Sequence, residues 1–147
     1  MPYTSGTVTA TGAGTAVTDS ALDGYGPASM GVVIFSGTYT TPAVTVEKKL
    51  RGSSVWVPLA MTDEKTLTRT SGTATLGSNT TTSFRVDLGG AGAWRAYPTS
   101  GTVSSGMLIE LVSGAVQDFG GILPAVYTTN TAATAFGAGL SLTGATG

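Results

Sequence analysis

The chain has 147 residues, 22 of them glycine, with a formal net charge of −1 and only 10% charged side chains, against a usual share near ~25%. It contains neither cysteine nor histidine, which excludes disulfides, thiolate nucleophiles, His-based triads and zinc sites of the Cys or His type. Near-neutral charge without a polybasic run argues against a nucleic-acid partner and against binding to a membrane surface, and no apolar run approaches the ~20 residues that span a bilayer.

The length suits one domain with a real core. Thr, Val and Tyr favour strands, and the many glycines punctuate turns and weaken helices. No window shows helical periodicity with caps at both ends. The composition therefore predicts an all-β protein. The start, Met1 to Gly6, carries neither a positive charge nor an apolar segment, so synthesis in a cytoplasm is expected.

In chain order, residues 1–18 carry no charge. Thr7–Ala10 and Ala16–Thr18 read as short strands around a turn at Gly12–Gly14. Asp19, Asp23 and the glycines that follow read as a loop with solvated acids; two acids are too few for a calcium cage. Met30–Ser36 is a compact apolar run of strand length. After a turn at Gly37–Pro42, Ala43–Leu50 returns with Val44 and Val46 on one face and Thr45, Glu47 and Lys49 on the other. Lys48 interrupts the apolar face and predicts a bulge or an edge. Val55–Met61 is the next strand, and Pro58, which cannot donate to a ladder, marks it as an edge or as irregular.

Thr62–Lys65 is a charged turn. Thr66–Ser83 reads as two strands with turns at Ser71–Gly72 and Gly77–Asn79. Ser83–Leu88 alternates strictly, with Phe84, Val86 and Leu88 inward and Arg85 and Asp87 outward. Gly89–Gly92 is a turn, not a phosphate cradle, since no helix and no Gly-Lys-Ser/Thr follows. Ala93–Pro98 and Met107–Val112 complete about eight strands at spacings near ~10 residues, the pattern of an antiparallel sandwich. From Phe119 to Gly147 the chain is again uncharged, and it is too rich in Gly and Ala to form a core alone.

Several short motifs recur in order through residues 31–112. They are Ser36-Gly37-Thr38-Tyr39, Val44-Thr45-Val46-Glu47, Trp56-Val57-Pro58-Leu59, Phe84-Arg85-Val86-Asp87-Leu88-Gly89, Trp94-Arg95 and Thr99-Ser100-Gly101-Thr102. Together they resemble a β-sandwich module of tailed-bacteriophage virion proteins, most like a capsid decoration (cement) protein. This chain departs from the module at Lys48-Lys49 and Arg51-Gly52, where the module carries Gly-Ser and Asp-Gly. The resemblance implies a jelly-roll-like sandwich, a structural role on the outer capsid surface, the major capsid protein as partner, and self-association as a homotrimer. It implies no catalysis and no cofactor.

The expected organisation is an uncharged N-terminal arm (1–18), a sandwich (19–118) and an uncharged C-terminal arm (119–147), all-β throughout. Ordering a residue costs about 1–2 kcal/mol of backbone entropy, so such arms must bury surface on their own sandwich or on neighbouring chains. Without charges to desolvate they suit strand addition to protein edges. The expected contact residues are Val8 and Val17 in the first arm. In the second they are Phe119, Ile122, Leu123, Val126, Tyr127, Phe136, Leu140 and Leu142.

Two other functions compete. A carbohydrate-binding module of a head or tail fibre would stack sugars on Trp56, Trp94, Tyr97 or Tyr39, although aromatics at strand positions usually pack inside. A shell or tail-tube subunit is the other alternative; the usual versions of those folds are larger or carry a helix. An enzyme is not expected: the best polar set is Arg85, Asp87, Arg95 and Glu110, which reads as two ion pairs, Arg85–Asp87 and Arg95–Glu110.

Overall fold

A computed structural model describes residues 3–20, 22, 29–114, 134–135 and 139–140. The chain divides into two units, Met1–Ala115 and Val116–Gly147. In the second unit the described residues form a small antiparallel hairpin of β12 (Thr134–Ala135) and β13 (Gly139–Leu140).

The first unit is an antiparallel β-sandwich. Its strands are β1 (Tyr3–Val8), β2 (Val17–Asp19), β3 (Met30–Gly37), β4 (Thr40–Leu50), β5 (Trp56–Pro58), β6 (Ala60–Asp63), β7 (Arg69–Ser71), β8 (Thr73–Thr75), β9 (Thr82–Asp87), β10 (Ala91–Thr102) and β11 (Met107–Gly114). One sheet has six strands in the order β1-β11-β3-β9-β6-β7; the other has the order β2-β10-β4-β5, with β8 also paired to β4. A single turn of 3-10 helix, Ala13–Thr15, links β1 to β2.

The core forms because alternate residues of both sheets are apolar. Phe35, Val33, Ile109 and Leu111 face inward from the six-stranded sheet, and Val44, Val46, Trp94 and Ala96 meet them from the other. Phe35 and Phe84 pack edge to face, with ring centroids 6.1 Å apart. Gly31 is where the backbone of β3 makes room for the indole of Trp94. A methyl group there would lie 2.8 Å from Trp94 Cη2 and 2.7 Å from Leu88 Cδ1, so overpacking would cost about 1–3 kcal/mol.

Several sequence readings change. The N-terminal segment is built into this unit: β1 pairs with β11 over six residues, Tyr3↔Val112 to Val8↔Met107, and β2 pairs with β10. Val8 and Val17 are buried in the core, so they face their own domain and not a neighbour. Two β-prone, uncharged stretches beside free sheet edges complete those sheets before they reach another chain. Asp19, expected in a solvated loop, ends β2 and is buried.

The strands of this unit also outnumber the eight expected, because β1 and β2 join the sheets and one expected strand turns a corner and divides. The run Val55–Met61 splits at Leu59 into β5, in one sheet, and β6, in the other. Leu59 N–H donates to Val46 O at 2.9 Å. Alternation then puts the missing donor of Pro58 on the outer edge, where it costs no ladder bond. At Gly72 (φ 83°) the chain crosses back from β7 to β8, so the expected hairpin is a corner between sheets.

Finally, β10 runs through Pro98 to Thr102, with register shifts against β4 at Pro98/Ser100 and Ser100/Thr102. Pro98 is tolerated there because β2, the neighbour on the other side, pairs only with Trp94 to Ala96. The irregularity predicted near Lys48 appears on the partner strand, where the register shifts between Ala91 and Ala93. Lys48 itself reaches out of the sandwich, its Nζ 2.9 Å from Gly89 O.

Candidate interaction surfaces

With both inner faces committed to the core, any function of this unit rests on its outer faces, its edges and its ends. On the five-stranded sheet, β4, β10 and β5 bring Glu47, Arg95, Tyr97, Lys49 and Trp56 together. Register does this: Arg95 lies opposite Glu47, and Lys49 opposite Trp56. Arg95 Nε donates to Glu47 Oε1 at 2.8 Å and Nη2 approaches the same oxygen at 2.7 Å. Tyr97 donates its hydroxyl to Glu47 Oε2 at 3.1 Å. The guanidinium lies 4.2 Å from the centroid of Trp56 and 5.4 Å from that of Tyr97, and Lys49 Nζ lies 5.1 Å from Trp56.

The two charged side chains are only 18% and 13% exposed, so water screens their attraction weakly. Burial pushes the Tyr97 phenol above its ordinary pKa. The hydrogen bond to Glu47 and that carboxylate's charge push it further, while Arg95 opposes them. The cluster is thus a closed ladder in which each polar group meets another of the same chain.

The arrangement bears on the sugar-stacking reading. Of its four aromatics, Trp94 and Tyr39 are buried in the core. Trp56 and Tyr97 are half-buried on the outer face, but both rings already carry the Arg95 cation. The expectation that Trp56 belongs to the core fails, because β5 turns its side chain onto the outer face beside Lys49 and Arg95.

At one end, loops around β6 to β9 enclose an open cleft of about 730 Å³ lined chiefly by hydroxyls, among them Thr66, Thr70, Thr75, Thr82 and Ser83. Its acids are engaged. Asp63 Oδ1 accepts the backbone N–H groups of Lys65 (2.8 Å) and Thr66 (3.1 Å), which fixes the turn. Glu64 accepts the Ser83 hydroxyl at 2.5 Å and pairs with Arg85 at 3.0 Å.

The two expected ion pairs therefore have other partners. Arg85 binds Glu64 on the neighbouring segment, while Asp87 accepts the N–H of Gly89. Arg95 binds Glu47 because Glu110, its expected partner, lies on β11 in the other sheet. Glu110 instead accepts the Tyr3 hydroxyl at 2.7 Å. Only the sheet order reveals these pairings; alternation along one strand cannot.

The outer face of the six-stranded sheet is different. Alternation on β3 and β11 turns Met30, Val32, Ile34, Leu108 and Val112 outward, all half-buried. Beside them, β1 presents Tyr3, Ser5 and Thr7, which are exposed. Sequence reading identified the run Met30–Ser36 as an apolar strand but did not single out its outer residues.

Of the expected C-terminal contact residues, Leu140 lies on β13, opposite Thr134. Phe119, Ile122, Leu123, Val126, Tyr127, Phe136 and Leu142 lie outside the described residues, as does Asp23. Among the described residues no group of three or more acids forms a metal site, and no helix is long and apolar enough to cross a membrane.

Among solved structures, the chain is similar to the crystal structure of the SPBc2 prophage-derived protein YomS. The match has 15% sequence identity and a TM-score of 0.55, and it covers 76% of this chain and 92% of that one. At that identity the likeness speaks for the fold. No protein-family model matches the sequence, and neither does any curated protein.

Proposed function

We propose that this chain is a structural protein of a phage particle, a capsid decoration protein on the outer surface of the shell. It would be made in the bacterial cytoplasm and bind the major capsid protein. Copies would self-associate, as trimers by the resemblance of residues 31–112, and the uncharged C-terminal segment would clamp neighbouring subunits. No catalytic step and no cofactor belong to this reading.

The observation that carries it is a pairing of two features. A sandwich with the fold of a prophage-derived protein is followed by a segment, 119–147, with no charged side chain. Such a segment can lie against protein surfaces without desolvating an ion, and an extended chain reaches up to ~3.3 Å per residue. Many modest contacts repeated by symmetry then add up to firm binding.

The test is deletion of 119–147. The truncated protein is expected to lose capsid occupancy, measured by quantifying it on purified particles. Normal occupancy would overturn the proposal. The carbohydrate reading is separated by a glycan array, where binding lost in Trp56→Ala would favour it.

A further inference from the structure

Among the described residues, no strand covers the outer surface of the six-stranded sheet or pairs with the outer edge of β1. Its cross-strand rows can be followed through the register. Tyr3, Val112, Val32 and Arg85 form one row; Ser5, Glu110, Ile34 and Ser83 the next; Thr7, Leu108 and Ser36 the third. Aliphatic side chains fill the middle of the face, on β3 and β11. The polar residues of β9 bound one side and the uncharged strand β1 the other. An antiparallel sheet facing water normally turns polar residues outward. Three strands at ~4.8 Å spacing and six residues at ~3.3 Å give this surface a footprint of roughly 300 Å², and the half-buried aliphatic side chains of β3 and β11 occupy part of it.

The edge adds a second observation. Natural sheets protect their edges with short strands, charge, proline or bulges. Four edge strands here follow that rule, among them β8, which has three residues and pairs only with β4. β7 has three residues and carries Arg69, β2 has three and ends in Asp19, and β5 has three and ends in Pro58. β1 does not follow it. It has six residues with no charge and no proline, and it pairs with β11 without a register shift. Such a strand edge is a template for pairing with another polypeptide strand.

We propose that a second copy of this chain packs on the outer face of the six-stranded sheet, over Val32, Ile34, Leu108 and Val112 and along the edge of β1. Among the described residues of this face on β1, β11, β3 and β9, Arg85 is the one cation, and Glu64 already holds it. Glu110, the one acid in the middle row, is bonded to Tyr3 at the edge. A chain of net charge −1 offers little repulsion between copies. Against the ~800 Å² that each partner of a standard interface buries, the patch supplies less than half. Association through it is therefore reversible and depends on concentration. The inference rests on the self-association in the reading above and names its surface.

The experiment is sedimentation velocity on the full-length protein over a concentration series, with circular dichroism and a thermal melt on each variant. Wild type is expected to gain mass with concentration. Ile34→Lys should weaken association by about tenfold or more, since a lysine would be desolvated on the contact face. Ser5→Lys, an exposed change on β1 that leaves the core untouched, should weaken it as well. Val57→Lys, on the other sheet, should leave it unchanged. A wild type that is monomeric throughout would overturn the inference, as would folded Ile34→Lys and Ser5→Lys proteins that associate like wild type. Dissociation by Val57→Lys would place the contact on the wrong sheet and also overturn it. Capsid occupancy is a separate readout, so failure of the decoration reading is distinguishable from failure of this one.

Discussion

The two outer faces of the sandwich share one core and one strand geometry, yet they solve the problem of facing water in opposite ways. The five-stranded sheet carries a ladder in which Arg95, Glu47, Tyr97, Trp56 and Lys49 pair with one another. The six-stranded sheet turns Val32, Ile34, Leu108 and Val112 outward and, among the described residues, ends at β1, a strand with neither charge nor proline. One face pairs its charges within the chain; the other turns half-buried aliphatic side chains outward. A surface residue's contribution to stability thus depends on which face it occupies.

The largest effect is expected at Glu47. Glu47→Ala leaves the Arg95 guanidinium without its carboxylate in a setting where it is only 18% exposed, and removes the acceptor of Tyr97. A fully buried pair broken on one side costs about 3–5 kcal/mol; the remaining exposure reduces this to about 2–3 kcal/mol, read from urea unfolding. A loss under about 0.5 kcal/mol, the level of an exposed pair, would erase the contrast between the faces.

A smaller effect, with its own pH signature, is expected at Tyr97. Tyr97→Phe should cost about 1 kcal/mol near neutrality, for one hydrogen bond to a charged acceptor in a half-buried site. The folded pKa of Tyr97 lies above the ordinary 10.0. The stability it confers is therefore complete below pH 10 and is lost as pH rises through the raised value. The gap between wild type and Tyr97→Phe should narrow above pH 10. Tyr39, whose phenol burial also pushes up, titrates in both proteins and does not affect the difference. A gap that stays constant to high pH would show that the hydroxyl is not held as described.

The smallest effect is expected on the other sheet. Arg85 and Glu64 form an ion pair with side chains 54% and 31% exposed. Arg85→Ala should change stability by no more than about 0.5 kcal/mol, with the difference vanishing in high salt. A cost near that of Glu47→Ala would mean that the cleft end of the molecule depends on this pair.

Much of the fold was legible along the chain, because alternation and turn residues act locally. Phe84, Val86 and Leu88 are buried while Arg85 and Asp87 point out, as their spacing predicts. Pro58 marks an edge strand. Pairings across strands were not legible. Arg95 could be matched with Glu110 on charge alone, but the two stand in different sheets, and Glu47, 48 residues away, is the partner. The N-terminal segment was misread for a related reason. Val8 and Val17 look like isolated apolar residues in a polar stretch, and only the two sheet edges they complete bury them.

The sequence by itself determined that this protein is an all-β sandwich without thiol or imidazole chemistry, followed by an uncharged segment. Those properties follow from residue types and a period of two, which each stretch of chain carries independently. The tertiary structure alone decided which strands lie side by side, and hence that one outer face pairs its charges within the chain while the other turns aliphatic side chains outward beside β1, an edge strand without charge. Register and sheet order arise from contacts between residues far apart in the chain, set by the shared core.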